Sequence, residues 1–240
     1  MKSTTVLLLT FFVVLHLAAC QRTAQNSELT ARNTKASAYN VELGLAYLKR
    51  NTNERAKQKL LLALRQDPRS SMAHGALAYY YQQMGTVTLA DKHYQKAISL
   101  SPNEGATLSN YGAFLCRQGD YKKAERYFDK ALNDKHYLNL AEVYENAGIC
   151  AMQDKRLSRA HHYFTLALAH DGQRPTSHLA IARLYMTHHQ YNSAAKHLLT
   201  YSAIGGKAAE AKALANKLTY KLPADKRSQG YVRELRRCFL

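Results

Sequence analysis

Cysteine and histidine are the residues of this chain best suited to chemistry. Cysteines stand at positions 20, 116, 150 and 238, and eleven histidines are spread along 240 residues. A cysteine can be a nucleophile, a metal ligand, half of a disulfide or a small apolar core group. Cys116 ends the run "NYGAFLC" and Cys150 follows "NAGI"; these alternatives stay open until the compartment and the surrounding elements are known. His161–His162 and His188–His189 are sequence neighbours, and neighbours on a helix point to different faces. No H-x-x-x-H spacing sets two imidazoles one turn apart, so the histidines read as exposed or packing residues and no metal is expected. Glu142 and Glu145 share a helix face and read as surface charge. No G-x-S-x-G, P-loop or H-E-x-x-H run occurs. The chain is therefore expected not to be an enzyme, with no catalytic residue, no cofactor and no small-molecule substrate.

The composition points to helices. Hydrophobic residues make up 46%, there are 4 prolines and no tryptophan, and Ala, Leu and Tyr dominate. Lys and Arg number 34 against 17 Asp and Glu, a net charge of +17. Such a balance suits nucleic acid, anionic headgroups or an acidic protein surface. The charge is spread without long runs of one sign, so it reads mainly as a solvated surface and no nucleic-acid partner is expected.

The N-terminus decides the compartment. "MKSTTVLLLTFFVVLHLAAC" has a basic start, an apolar centre of about 14 residues and a small-residue end, the layout of an export signal. That centre is short of the ~20 residues that span a bilayer. "LAAC", Leu17 to Cys20, resembles the bacterial lipobox. The resemblance implies cleavage after residue 19, with Cys20 as the lipid attachment. Gln21 stands where many inner-membrane lipoproteins carry Asp. The implied location is the outer membrane, lipid-anchored and facing the periplasm. Residues 20–36 read as the lipidated N-terminus and a polar tether, reaching roughly 20–25 Å as a flexible coil.

A 34-residue period fills the rest. Pro68 and Pro102, Tyr47 and Tyr81, Ala56 and Ala90, and Ala63 and Ala97 recur at that distance. Period and pattern resemble the tetratricopeptide repeat. The repeats start near Ser37, Ser71, Gly105, Ala141 (two residues late) and Pro175, with a weaker sixth near Lys207. Gly44, Ala78, Gly112 and Gly148 are the small residues that let helix A approach helix B, and Pro68 and Pro102 separate repeats. The fold expected is all-α: a solenoid of about five to six helix-turn-helix repeats over 37–222 forming a right-handed superhelix, followed by a basic tail over 223–240.

Carrying over the repeat's groove positions gives Val41, Leu45 and Leu48 in the first repeat and Met72 and Tyr79 in the second. Ile149, Met152, Leu179 and Met186, mixed with Glu145 and Arg183, follow in the fourth and fifth. An exposed apolar run in a groove marks a partner site; packing against the tether or a neighbouring helix is the alternative. Cys116 and Cys150 fall late in helix A of consecutive repeats, where stacked helices can bring them within the roughly 7 Å a disulfide needs. Two buried thiols are the other possibility, and Cys238 is left unpaired in the tail.

The lipobox, about six repeats, "SNYGAFLCRQGDYKKAERYFDKAL" and "YENAGICAMQ" together resemble the PilF/PilW family of type IV pilus biogenesis lipoproteins, the pilotins. The resemblance implies a scaffold that binds the pilus secretin subunit and promotes its outer-membrane localisation or multimerisation. The competing expectation is an adaptor for another envelope complex, such as outer-membrane protein assembly or a peptidoglycan hydrolase.

Overall fold

The computed structural model describes residues 30–240, apart from the side chains of residues 226 and 227. The export signal 1–19, the lipid-attachment residue Cys20 and residues 21–29 lie outside the described residues. The described residues form helices joined by turns, as six antiparallel pairs. α1 covers residues 30–49 and pairs with α2 (Asn53–Gln66). α3 (Ser71–Gln83) pairs with α4 (Val87–Leu100), and α5 (Gly105–Arg117) with α6 (Tyr121–Leu132). α7 (Leu140–Gln153) and α8 (Leu157–His170), α9 (Pro175–Thr187) and α10 (Tyr191–Ala203), then α11 (Ala209–Thr219) and α12 (Lys226–Phe239) complete the set. The chain divides into two compact units, the first ending at Pro102 and the second spanning Asn103–Leu240.

The repeat signature acts through close approach of helix A to helix B. A Cβ on Gly44 would lie 2.6 Å from Leu60, one on Gly112 2.7 Å from the Phe128 ring, and one on Gly148 2.8 Å from Phe164. Phe128 and Phe164 are fully buried against these glycines. Each A-to-B turn in the first five pairs reverses through one left-handed residue: Asn51, Gly85, Gly119, Lys155 and His189, all at φ between 57° and 82°. Ser70 and Asp120 cap α3 and α6 by accepting from the backbone N–H of Ala73 and Lys123. The two-residue delay before the fourth pair is taken up by residues 133–139. There Asp134 accepts from the Gly105 N–H at 2.8 Å, and Tyr137 packs where a Gly105 side chain would stand.

Both ends of the repeat region extend further than the apolar pattern predicts. Residues 30–36, expected in the tether, are the opening turns of α1. Their inward face continues through Ser37 and Asn40, which are buried polar residues, so an apolar periodicity does not reveal it. Asn40 satisfies its amide by donating to Gln66 of α2 and to the Ala36 carbonyl. At the other end, residues expected to be a tail form α12, which packs on α10 and α11. Val232 and Leu235 are buried, Tyr231 and Phe239 pack beside them, and Asp225 caps the helix through the Ser228 N–H. The basic residues lie between these apolar positions, which is why composition alone reads as a tail.

Candidate functional site

In the first unit α1 and α3 line a cleft of about 740 Å³. Leu45, Leu48, Lys49, Tyr79, Gln83 and Met84 form most of it. Of the five residues expected to face a partner there, Leu45 and Tyr79 are 39% and 36% exposed and stand in this cleft together. Val41 is a correction: it is 1% exposed and belongs to the core with Leu60 and Leu77. Leu48 touches the cleft but is only 8% exposed, so it too is chiefly a core residue. The cause is helical geometry. At about 100° per residue, Leu48 lies about 20° to one side of Val41, toward Gly44 and α2, whereas Leu45 lies about 40° to the other side. Met72 is exposed in the first turn of α3, outside the cleft lining.

The second unit holds two further clefts that share Arg183. One, about 500 Å³, has Ile149, Met152 and Leu179 on its walls, with Arg183 and Glu210 paired at 3.1 Å at its edge. The other, about 400 Å³, is lined by Met186, Leu214, Arg183, His189, Lys217 and Lys221. Glu145 does not join them. It is buried, accepting from Arg174 at 2.8 Å and from the N–H and hydroxyl of Ser177 at 3.1 and 2.7 Å. The reading of Glu145 as surface charge is therefore corrected: it ties α7 to the start of α9. Glu125 does the same between α6 and α8, meeting Arg156, Arg159 and the Tyr163 hydroxyl.

Cys116 on α5 and Cys150 on α7 meet across stacked A helices, their Cα atoms 5.6 Å apart and their sulfurs joined. Both are buried, and Ser109 and Asn146 hydrogen-bond alongside at 3.3 Å. Cys238 is a free, exposed thiol on α12.

The histidines pair differently from their sequence neighbours. His74 and His93 bring Nδ1 atoms to 3.0 Å, and His178 and His197 to 2.9 Å. In each pair the Nε2 of the A-helix histidine faces a turn carbonyl, Pro68 at 3.4 Å or Gly172 at 3.1 Å. A carbonyl only accepts, so that Nε2 carries a proton and the neutral ring receives the other histidine's Nδ1–H. Tyr81 and Tyr185 lie against His93 and His197. The spacing H-x6-Y-x11-H occurs in both places and is the sequence signal for the arrangement. Burial, then the paired His74 and nearby Lys92, hold the pKa of His93 below its usual value. For His197, burial, the paired His178, Lys196 and His161 lower it to about 4. Among the described residues no three His, Cys, Asp or Glu side chains gather as a metal site. Nor is any described helix long and apolar enough to cross a membrane.

Comparison with known proteins agrees with this architecture. The tetratricopeptide repeat family matches residues 103–173 and residues 73–104. The type IV pilus assembly protein PilF of Pseudomonas aeruginosa is 30% identical over 234 residues, covering 96% of this chain and 92% of PilF. A solved Pseudomonas aeruginosa PilF structure superposes with a TM-score of 0.74 at 31% identity, over 85% of this chain and 92% of that one. PilW, described as a widely conserved type IV pilus biogenesis factor, superposes with a TM-score of 0.71 at 26% identity, over 85% and 93%. Proteins of this kind are repeat scaffolds and are generally not catalytic. With the repeat pattern, the helix pairs and a relative matched along nearly its whole length, this chain belongs to the PilF/PilW family of tetratricopeptide repeat proteins.

Proposed function

We propose that the protein is an outer-membrane lipoprotein scaffold for type IV pilus biogenesis, anchored through Cys20 and facing the periplasm. Its clefts hold a segment of the pilus secretin subunit and promote the secretin's outer-membrane localisation or multimerisation. The observation that carries this reading is the full-length relationship to PilF. The lipobox-like "LAAC" supports the anchor, and the exposed Leu45 and Tyr79 in one cleft support the docking role. Exposed apolar side chains in a recess favour a bound partner because contact removes apolar surface from water, less the ordering and desolvation costs of association. Cys116–Cys150 is a disulfide in this compartment, where oxidising conditions sustain it.

The test is a deletion strain complemented with the wild-type gene or with Leu45→Glu plus Tyr79→Glu. Leu48 is left intact because it also serves the core. Deletion is expected to abolish surface pili and heat-stable secretin multimers, and the double variant to restore neither, although its circular dichroism matches wild type. Normal multimers in the deletion strain overturn the proposal, and full rescue by the variant removes the cleft from it.

A further inference from the structure

The second unit's two clefts differ in chemistry and adjoin at Arg183, which lines both. The first is an apolar recess walled by half-buried Ile149, Met152 and Leu179. Its carboxylate, Glu210, is occupied by Arg183 at 3.1 Å. The second has no carboxylate in its lining and presents Lys217 and Lys221, both exposed and outside every ion pair found among the described residues. An apolar recess beside a cationic one, with Arg183 in both walls, selects an occupant that spans them by both properties. A recess of about 500 Å³ admits individual side chains, whereas a flat bilayer surface does not reach its walls.

We propose that these clefts form one bipartite docking groove for an acidic amphipathic segment of a partner protein. Its apolar side chains seat against Ile149, Met152 and Leu179, and its carboxylates meet Lys217 and Lys221. The inference rests on the reading of the clefts as the partner-holding face and specifies the chemistry of what they hold. Charge complementarity of this kind sets partner choice and association rate more than total affinity. Basic segments are rejected at the same lysines, because like charges brought together there have no counter-ion.

The probes are two short fluorescent peptides with the same leucine-rich half, one ending in glutamates and the other in lysines. They are titrated against the purified full chain in detergent solution. The glutamate-ended peptide is expected to bind roughly tenfold tighter, equivalent to about 1.4 kcal/mol. That preference shrinks as salt rises from about 50 to about 300 mM. It disappears in Lys217→Gln plus Lys221→Gln, while Ile149→Glu plus Leu179→Glu weakens both peptides. Circular dichroism of each variant establishes that it is folded. Equal binding of the two peptides, binding of neither, or an unchanged preference in the lysine variant overturns the proposal. So does a lysine-dependent attachment to phosphatidylglycerol vesicles with no peptide preference. Failure here is distinct from failure of the pilus role: secretin multimers in the deletion strain test the client, and the peptide preference tests the groove whichever client it serves.

Discussion

At the scale of single residues, the paired imidazoles make stability depend on pH. Each pair has room for one proton between its Nδ1 atoms, and a second proton would set two N–H groups against each other at about 3 Å. Lys92 and Lys96 beside the first pair, and Lys196 and His161 beside the second, add positive charge. His74, His93 and His197 all have lowered pKa values in the folded protein, burial being the largest cause. The unfolded chain therefore binds more protons, and stability falls as pH drops from the usual 6.5 toward about 4, where His197 titrates in the fold. Tyr127 and Tyr163 stand one repeat from His93 and His197 in the aligned pairs, so tyrosine fits the position. His93→Tyr plus His197→Tyr is expected to flatten the decline of melting temperature between pH 6.5 and 4. An unchanged slope would show that the pairs do not set it. These pairs were legible only as a spacing, H-x6-Y-x11-H, which has no meaning until helices A and B are known to lie side by side.

At the scale of the helix pair, two features set geometry: the glycine opposite the aromatic and the left-handed turn. Gly112 lies under Phe128, and its would-be Cβ also falls 3.2 Å from the Ala124 carbonyl, so the neighbouring backbone as well as a ring blocks it. Gly112→Val is expected to lower stability by about 2 kcal/mol through overpacking, outweighing the helix propensity gained over glycine. Lys155 has the opposite problem, holding φ at 58° where aligned turns use Gly85 and Gly119. Lys155→Gly is expected to raise stability by about 0.5–1 kcal/mol, since the left-handed conformation costs a side-chain-bearing residue roughly that or more. Urea melts of the two variants beside wild type check both signs. The small residue and the aromatic were visible in the sequence because they recur every 34 residues. α12 was not, because its buried Val232 and Leu235 do not repeat the small-and-aromatic pattern of the earlier B helices and five cationic residues dominate its composition.

At the scale of the whole molecule, the second unit is stitched across its repeats by groups far apart in sequence. Cys116–Cys150 joins the third and fourth pairs, Glu145–Arg174 the fourth and fifth, and Ser228–Asn192 the fifth and sixth. The cysteine crosslink encloses a separation of 34 residues, for which the chain-entropy account gives about 4 kcal/mol at most. Cys116→Ser plus Cys150→Ser is expected to lower the melting temperature to that of the reduced wild type, and reductant should then leave the variant unaffected. Mass spectrometry of the unreduced exported protein gives the direct check: alkylation at both positions would rule the crosslink out.

The sequence by itself determined the period, the first five helical pairs, the small-to-large contacts inside them and the alignment of the two cysteines. These follow from local spacing, and a stacked repeat turns local spacing into fixed neighbours. Only the tertiary structure decided which side of a helix meets solvent. Val41 and Leu45 are four residues apart and both apolar, yet one is core and the other lines a cleft, because α2 and α3 cover one edge of α1 and stop short of the next. The same holds for Glu142 and Glu145: one turn separates a half-exposed acid from a buried one, and the difference is the Arg174 and Ser177 that the next repeat places against it.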